Sequence, residues 1–461
     1  MLRQVADQAF SRAAGAPLVH GNAVRLLKDG AQNYPAWLEA IAAARRHVHF
    51  ESYIIHGDAV GERFVEALLA KAQEGVPVRV IYDWLGAVST RARRLWPRLR
   101  AGGVEVRCYN PPRLAEPFGW LSRDHRKCVV VDDAVAFVSG LCVGRAWEGD
   151  AERGLAPWRD TGVEIRGPAV ADVAHTFAEA WAACGEPLPP GDEKAPLARP
   201  AAAGGVSLRV VATTTGTSGV FRLDTLVAAL ARTNLWLTDA YYVGTPSYVQ
   251  ALRAAARDGV DVRLLVPGSG TDISVVQSLS RAGYRPLLDA GVRVFEWNGS
   301  MLHAKTAVAD GRWARVGSSN LNLASWMGNW ELDVVVEDEG FGRAMEDTYR
   351  ADLEGATEIV LERRSRVRAA GERQRSARRP RGLRGSRAAA GALRIGNVIG
   401  AALAARRVHG PAEGRLLKQG GVFLLALAAV ALLWPRIVAW PLGLLCLWLA
   451  IALLLRARRR P

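Results

Sequence analysis

HAKTAVAD, residues 303–310, leads into Gly-Ser-Ser-Asn at 317–320, and HRKCVVVD, residues 125–132, has the same His-x-Lys-x4-Asp skeleton. The chain holds only eight histidines in 461 residues, so two at matching points, each with its Lys and Asp, signal an internal repeat. The surroundings repeat as well. HVHFESYII (47–55), GERFVEALLAKAQEG (61–75), VPVRVIYDW (76–84) and GVEVRCYN (103–110) read as strand, amphipathic helix, strand, strand. NLWLTDAYYV (234–243), PSYVQALRAAARDG (246–259), VDVRLLVPG (260–268) and GVRVFEWN (291–298) follow in the same order. Apolar runs such as VRVIY and VRLLV suit strands covered on both faces, which predicts an α/β fold. Gly75 and Gly259 sit where helix C-caps need a left-handed residue. The sequence thus predicts two duplicated half-domains, 1–184 and 207–360, joined by a Pro/Gly/Ala-rich linker at 185–206.

On a strand, residues i and i+2 share a face, so His125 points with Lys127 and His303 with Lys305. Asp132 and Asp310 complete the two motifs and are counted with the catalytic set. Their opposite parity nevertheless places them at the hairpin turns Asp132-Asp133 and Asp310-Gly311, where they fix the turn.

Charge is lopsided: 60 Lys+Arg against 45 Asp+Glu gives +15, a balance that favours polyanionic partners. Its placement separates lipid from nucleic acid. Residues 361–419 form a basic linker whose later part, ALRIGNVIGAALAARR (392–407), reads as an amphipathic surface helix. From Val422 to Leu455 the only charge is Arg436, and as one helix this stretch would rise about 51 Å against a hydrocarbon core of roughly 30 Å. Trp434-Pro435-Arg436 breaks it into two spans, giving an expected transmembrane hairpin at 420–456, with a re-entrant first segment as the alternative. Arg415 and Lys418 before it, and Arg456 and Arg458–Arg460 after it, keep both ends cytoplasmic. Five scattered cysteines without a CxxC pair fit neither a zinc site nor a disulfide framework, and the N-terminus lacks the apolar run of a signal peptide.

Two His/Lys pairs brought together across a pseudo-twofold suit phosphodiester chemistry. One neutral imidazole attacks phosphorus and the other, protonated, gives its proton to the departing alkoxide. The lysines, with Ser318 and Asn320, balance charge on the non-bridging oxygens. No metal and no cofactor is expected. Both motifs, the GSSN and the duplication resemble the phospholipase D superfamily. The similarity to bacterial cardiolipin synthases covers roughly residues 19–355 and includes GNAVRLLKDGAQNYPAWLEAIAAARRHVHFESYII, GVPVRVIYDWLGA, WRDTGVEIRGPAV and PGSGTD.

That resemblance implies two α/β/α half-domains packed about one site, and phosphatidyl transfer between lipid alcohols through a phosphohistidine. It implies His125 as nucleophile and His303 as general acid/base, an order the sequence alone leaves open. Asp160 and Glu331, in equivalent places after the two motifs, are expected to orient the histidines. Glu51 and Tyr53, on the first strand, are candidates to face the substrate, with a solvated strand edge as the equal alternative. Trp120, Trp147, Trp158, Trp326 and Trp330 flank the motifs, either as core or as the lining of an acyl-chain entrance. PGSGTD (267–272) is either a phosphate cradle or a turn. One departure stands out: relatives commonly carry Gly-Gly-x-Asn after the first motif, whereas this chain has Ser139-Gly140-Leu141-Cys142.

The expected partners are the anionic phospholipid phosphatidylglycerol and a membrane, with nucleic acid disfavoured and oligomeric state open. The expected location is the cytoplasmic side of a bacterial inner membrane. Rival readings are a hydrolytic phospholipase D, a transferase for another alcohol, a nuclease of the same superfamily and a non-catalytic membrane scaffold.

Overall fold

In the computed structural model, which describes residues 2–88, 91–112, 122–189, 199–361 and 367–369 with scattered positions between 422 and 451, the two repeats build one continuous sheet. The first half supplies β1 (Val19–Lys28), β2 (Val48–Ser52), β3 (Val78–Asp83), β4 (Glu105–Tyr109), β5 (Lys127–Val131), β6 (Val135–Ser139) and β7 (Thr161–Arg166). The second supplies β8 (Val206–Thr213), β9 (Asn234–Thr238), β10 (Asp261–Pro267), β11 (Arg293–Trp297), β12 (Thr306–Ala309), β13 (Trp313–Gly317) and β14 (Glu331–Glu337), then β15 (Ala356–Leu361) and β16 (Val367–Ala369). The first half runs β4-β3-β2-β5-β6-β7-β1, and the second runs β11-β10-β9-β12-β13-β14-β8 in the same relative order. The two meet where β1 pairs antiparallel with β8, Val19 opposite Leu208.

Within each half three strands are parallel and the rest antiparallel. The parallel pairs need crossovers, and helices Ala59–Gln73 and Pro246–Arg257 provide them. Asp58 caps the first of these by accepting from Val60 and Gly61, and Gly75 and Gly259 leave both chains at φ of 84° and 94°.

Strand alternation sorts the core into layers. Phe50, Val129 and Phe137 face Tyr34, Trp37 and Phe64, and the matching face of the second half packs Leu237 and Ala307 with Tyr248 and Leu252. The opposite faces close on each other: Val130, Val138 and Ile165 join Val308, Val316 and Val334, with Val170 and Phe341 from helices Val170–Ala183 and Glu339–Glu354. Each such side chain contributes roughly 1.5–3 kcal/mol on full burial, so this shared layer fixes how the halves sit and where their motifs meet.

Helix Leu2–Ala14, counted with the first half from sequence, packs instead on the second. Ala14 and Ala16 join its core beside helix Gly219–Leu230, and Arg222 donates to the Ala13 carbonyl. The helix offers an apolar stripe that the second half covers. No helix among the described residues is long and apolar enough to cross a membrane. The expected hairpin at 420–456, the basic linker at 361–419 and Trp120 fall largely or wholly outside the described residues, although Val422, Leu425, Leu432, Leu433 and Trp440 are helical and exposed.

Candidate active site

Neither motif histidine lies in a strand: His125 sits just ahead of β5 and His303 just ahead of β12. Backbone from the opposite half holds each one. The His125 N–H donates to the Trp330 carbonyl at 2.8 Å, and the His303 N–H donates to the Arg159 carbonyl at 2.7 Å. Side chains repeat the exchange. His125 Nδ1 is 2.8 Å from Glu331 Oε2, and His303 Nδ1 is 2.7 Å from Asp160 Oδ2. Each histidine therefore takes its carboxylate from the other half. An ionised carboxylate only accepts, so Nδ1 carries the proton in both rings and Nε2 keeps a lone pair.

The carboxylates are themselves fixed. Glu331 accepts from Ser318 Oγ at 2.6 Å and from Asn329 Nδ2 at 3.3 Å. Asp160 accepts from Trp147 Nε1 at 3.0 Å and from the Thr161 N–H at 2.8 Å. Burial alone would raise both carboxyls, but the facing imidazoles and the lysines hold them below the usual range.

Lys127 and Lys305 are buried and donate to the carbonyls of His125 and His303. Lys305 Nζ also lies 3.0 Å from His303 Nδ1, a contact of charge rather than a hydrogen bond, because that nitrogen already donates to Asp160. Burial lowers Lys127, and lowers Lys305 to about 8. Burial, with both ammonium groups acting on each ring, brings His125 down to about 4 and His303 to about 3. Both imidazoles are thus neutral at pH 7. An arriving phosphodiester anion offsets the ammonium charges and raises their basicity.

Tyr53 packs against this cluster, its ring 5.0 Å from His125 and 5.3 Å from Lys127 Nζ. Tyr241 repeats the arrangement at 6.0 Å from His303 and 5.9 Å from Lys305. Sequence reasoning missed Tyr241, although the aromatic in LTDAYYV matches the one in ESYII. It also missed the bond from Trp147 to Asp160 and the part played by Asn329.

Other candidates lie elsewhere or act differently. Asp132 and Asp310 stand at the far ends of β5 and β12, about 23 Å along an extended chain from their histidines. Asp132 accepts from the N–H groups of Arg45, Arg46 and His47, and Asp310 from those of Arg232, Thr233 and Asn234. They tie each hairpin turn to the neighbouring strand and are not part of the reacting cluster. Glu51 parts company with Tyr53: it is buried beside Cys128, whose thiol is 3.2 Å from Oε2, on the face where His49 stacks on Phe177. Burial raises its carboxyl and that of the adjoining Asp124.

Ser318, expected on the phosphate, spends its hydroxyl on Glu331 and accepts from the Leu332 N–H. Asn320 keeps a buried Oδ1 without a hydrogen-bond partner among the described residues. On the first side there is no room for a serine, since a Cβ on Gly140 would lie 2.3 Å from Asp160 Oδ1. Trp147 supplies the donor there instead. Cys142 is buried, close enough for its thiol to interact with both lysines, and burial pushes that thiol up.

Trp147 and Trp326 are core, Trp158 packs at 5.5 Å from His303, and Trp330 lies under the Arg126 guanidinium. The glycines of PGSGTD serve close packing: a Cβ on Gly268 or Gly270 would approach the carbonyls of Trp297 and Gly299 to 2.4 and 2.6 Å. Among the described residues no group of three or more His, Cys, Asp or Glu is arranged to hold a metal ion.

Comparison with known proteins agrees with this geometry. The chain matches the family described as cardiolipin synthase, PLD-like domain, over residues 37–175 and 227–353, intervals that hold both motifs. It is 36% identical over 368 residues to cardiolipin synthase A of Pseudomonas aeruginosa (strain LESB58), covering 78% of this chain and 73% of that protein. Cardiolipin synthase A of Pseudomonas entomophila (strain L48) is 34% identical over 77% of this chain and 73% of its own. Among solved structures, phosphatidylserine synthase of Haemophilus influenzae Rd KW20 shares the fold at a TM-score of 0.57 and 15% identity, over 76% of this chain and 91% of that one.

Proposed function

The chain belongs to the cardiolipin synthase family with its phospholipase D-like domain, and on that premise we propose that it joins two phosphatidylglycerols into cardiolipin and free glycerol. The observation that carries the reading is the crossed pair of bonds, His125 to Glu331 and His303 to Asp160, which sets two imidazoles and two ammonium groups about one phosphodiester.

The first step starts once the bound phosphodiester anion has raised the basicity of His303 and its Nε2 has taken a proton from water. The Nε2 lone pair of His125 attacks phosphorus, the P–O bond to glycerol breaks, and the departing alkoxide takes that proton from His303 Nε2. Lys127 and Lys305 neutralise the non-bridging oxygens, and the amide N–H of Asn320 is assigned to the phosphoryl group as a further donor. In the second step His303 removes the proton from a glycerol hydroxyl of another phosphatidylglycerol. That oxygen attacks phosphorus, and the P–N bond returns its electron pair to His125. Glu331 and Asp160 hold each ring in one tautomer and stabilise its charged form.

The membrane side of the reading rests on sequence. The apolar stretch at 422–455 and its flanking arginines support a hairpin tether with the catalytic part on the cytoplasmic leaflet of the inner membrane. The test is incubation of purified protein with labelled phosphatidylglycerol in lipid–detergent micelles. Equal amounts of cardiolipin and glycerol, both lost in His125→Ala and in His303→Ala, are expected. Phosphatidic acid with no cardiolipin would make the protein a hydrolase and overturn the reading.

A further inference from the structure

Apart from Asp160, a further carboxylate lies near His303, that of Asp272, and the transfer steps give it no task. Tyr241 follows β9, and its hydroxyl donates toward both carboxylate oxygens of Asp272, at 2.9 and 3.0 Å. Its ring stands edge-on to His303 at 6.0 Å, so the carboxylate, one hydrogen bond beyond the tyrosine hydroxyl, lies within about 12 Å of that imidazole. Asp272 is exposed, yet its loop is anchored, because Gly268 and Gly270 press against the carbonyls of Trp297 and Gly299.

Lys127 and Lys305 draw a phosphate anion toward the histidines, whereas a carboxylate repels one. It can accept hydrogen bonds and cannot donate them, so its natural partners are hydroxyls. The headgroup of phosphatidylglycerol carries a vicinal pair of hydroxyls. With the departing glycerol oxygen about 3 Å from His303, the far hydroxyls of the glycerol fall within the same range of that imidazole as Asp272.

We infer that Asp272, set by Tyr241, recognises the vicinal hydroxyls of the glycerol headgroup and so selects a glycerol-type alcohol over a simple alcohol. The inference rests on the phosphatidyl-transfer reading. Glycerol leaves phosphorus on the side away from His125, and the acceptor hydroxyl arrives on that same side. His303 serves both events, and Asp272 meets the outgoing and the incoming glycerol alike. The corresponding segment of the first half, the short helix Trp84–Val88, carries no carboxylate, in keeping with a single alcohol side.

Competition between two soluble acceptors tests this. The full chain is given phosphatidylglycerol as donor in mixed micelles, with labelled glycerol and ethanol both present. The two alcohols partition from one phosphatidyl-enzyme, so the ratio of labelled phosphatidylglycerol to phosphatidylethanol is independent of donor binding. Wild type is expected to favour glycerol per mole, and Asp272→Ala to lower that ratio about tenfold while keeping transfer to ethanol. Asp272→Asn, which retains an acceptor oxygen, should fall between, and Tyr241→Phe should shift the ratio the same way by less. An unchanged ratio in Asp272→Ala, or equal loss of transfer to both alcohols, overturns the inference. Failure of wild type to transfer to any alcohol would instead remove the reading on which it stands.

Discussion

At the scale of single residues, the crossed carboxylates and the lysine charges make separate predictions. Glu331→Gln and Asp160→Asn keep size but lose the charge and present an NH2 donor as well as an acceptor, so the tautomer of each ring is no longer fixed. Steady-state kinetics should show kcat reduced by roughly 10²–10⁴ with little change in KM. A change confined to KM would assign these groups to binding. Lys305, lowered to about 8 by burial, must be charged to face phosphate. The profile of kcat/KM should therefore fall as pH rises through about 8, and bound anion should move the corresponding limb of kcat to higher pH. Lys305→Met removes a positive charge beside His303, so the His303 titration followed by imidazole NMR should move upward from about 3.

At the scale of elements, the two motif aspartates belong to the hairpins. Each turns the chain with φ of 56° at Asp132 and 51° at Asp310, and each gathers backbone N–H groups from the start of the adjacent strand. Burial opposes their charge, but those N–H groups hold both carboxyls below the ordinary range. A depressed folded-state pKa means the stabilisation is complete above the unfolded pKa and is lost as pH falls through the folded one. Asp310→Ala should cost about 2 kcal/mol in denaturant unfolding near neutral pH and leave activity per folded molecule within a few-fold. A full loss of activity in well-folded Asp310→Ala would return that residue to the chemistry.

This scale also marks what the sequence could reveal. Turn chemistry is local, so the turn aspartates are readable from HRKCVVVD and HAKTAVAD and the repeated strand–helix order from the stretches around them, whereas strand parity does not reach the histidines, which precede β5 and β12. Ser318 was misread because its partner Glu331 lies across a strand pair. Glu51 and Tyr53 read together on the first strand, but β2 ends at Ser52 and the chain bends at Tyr53.

At the scale of the whole molecule, the site exists only where the halves close on each other. His125 and Glu331 are 206 residues apart and His303 and Asp160 are 143, separations that no periodicity encodes. The duplication announced two halves and placed both motifs, but which carboxylate serves which histidine followed only from the packed sheets. Arg159 shows how firmly they are joined. Its guanidinium meets both oxygens of Asp352 at 2.8 and 3.0 Å, reaches Asp29 at 3.1 Å, and its carbonyl receives the His303 N–H. Arg159→Ala leaves buried Asp352 with only the partly exposed Lys28 at 3.7 Å, so unfolding free energy should drop by about 3 kcal/mol. Activity should fall with it, since the Arg159 backbone that receives the His303 N–H loses its anchors to Asp352 and Asp29; stability kept within 1 kcal/mol would show the halves to be joined by other contacts.

The two halves form one site with two unlike histidines, His125 bonding to phosphorus and His303 moving the proton. A phosphatidyl ester of p-nitrophenol tests it directly, because nitrophenolate leaves without needing a proton. His303→Ala should release about one equivalent in a burst and accumulate a phosphatidyl adduct that peptide mapping places on His125, while His125→Ala should give neither burst nor adduct. An adduct on His303, or a burst from His125→Ala, would contradict the account.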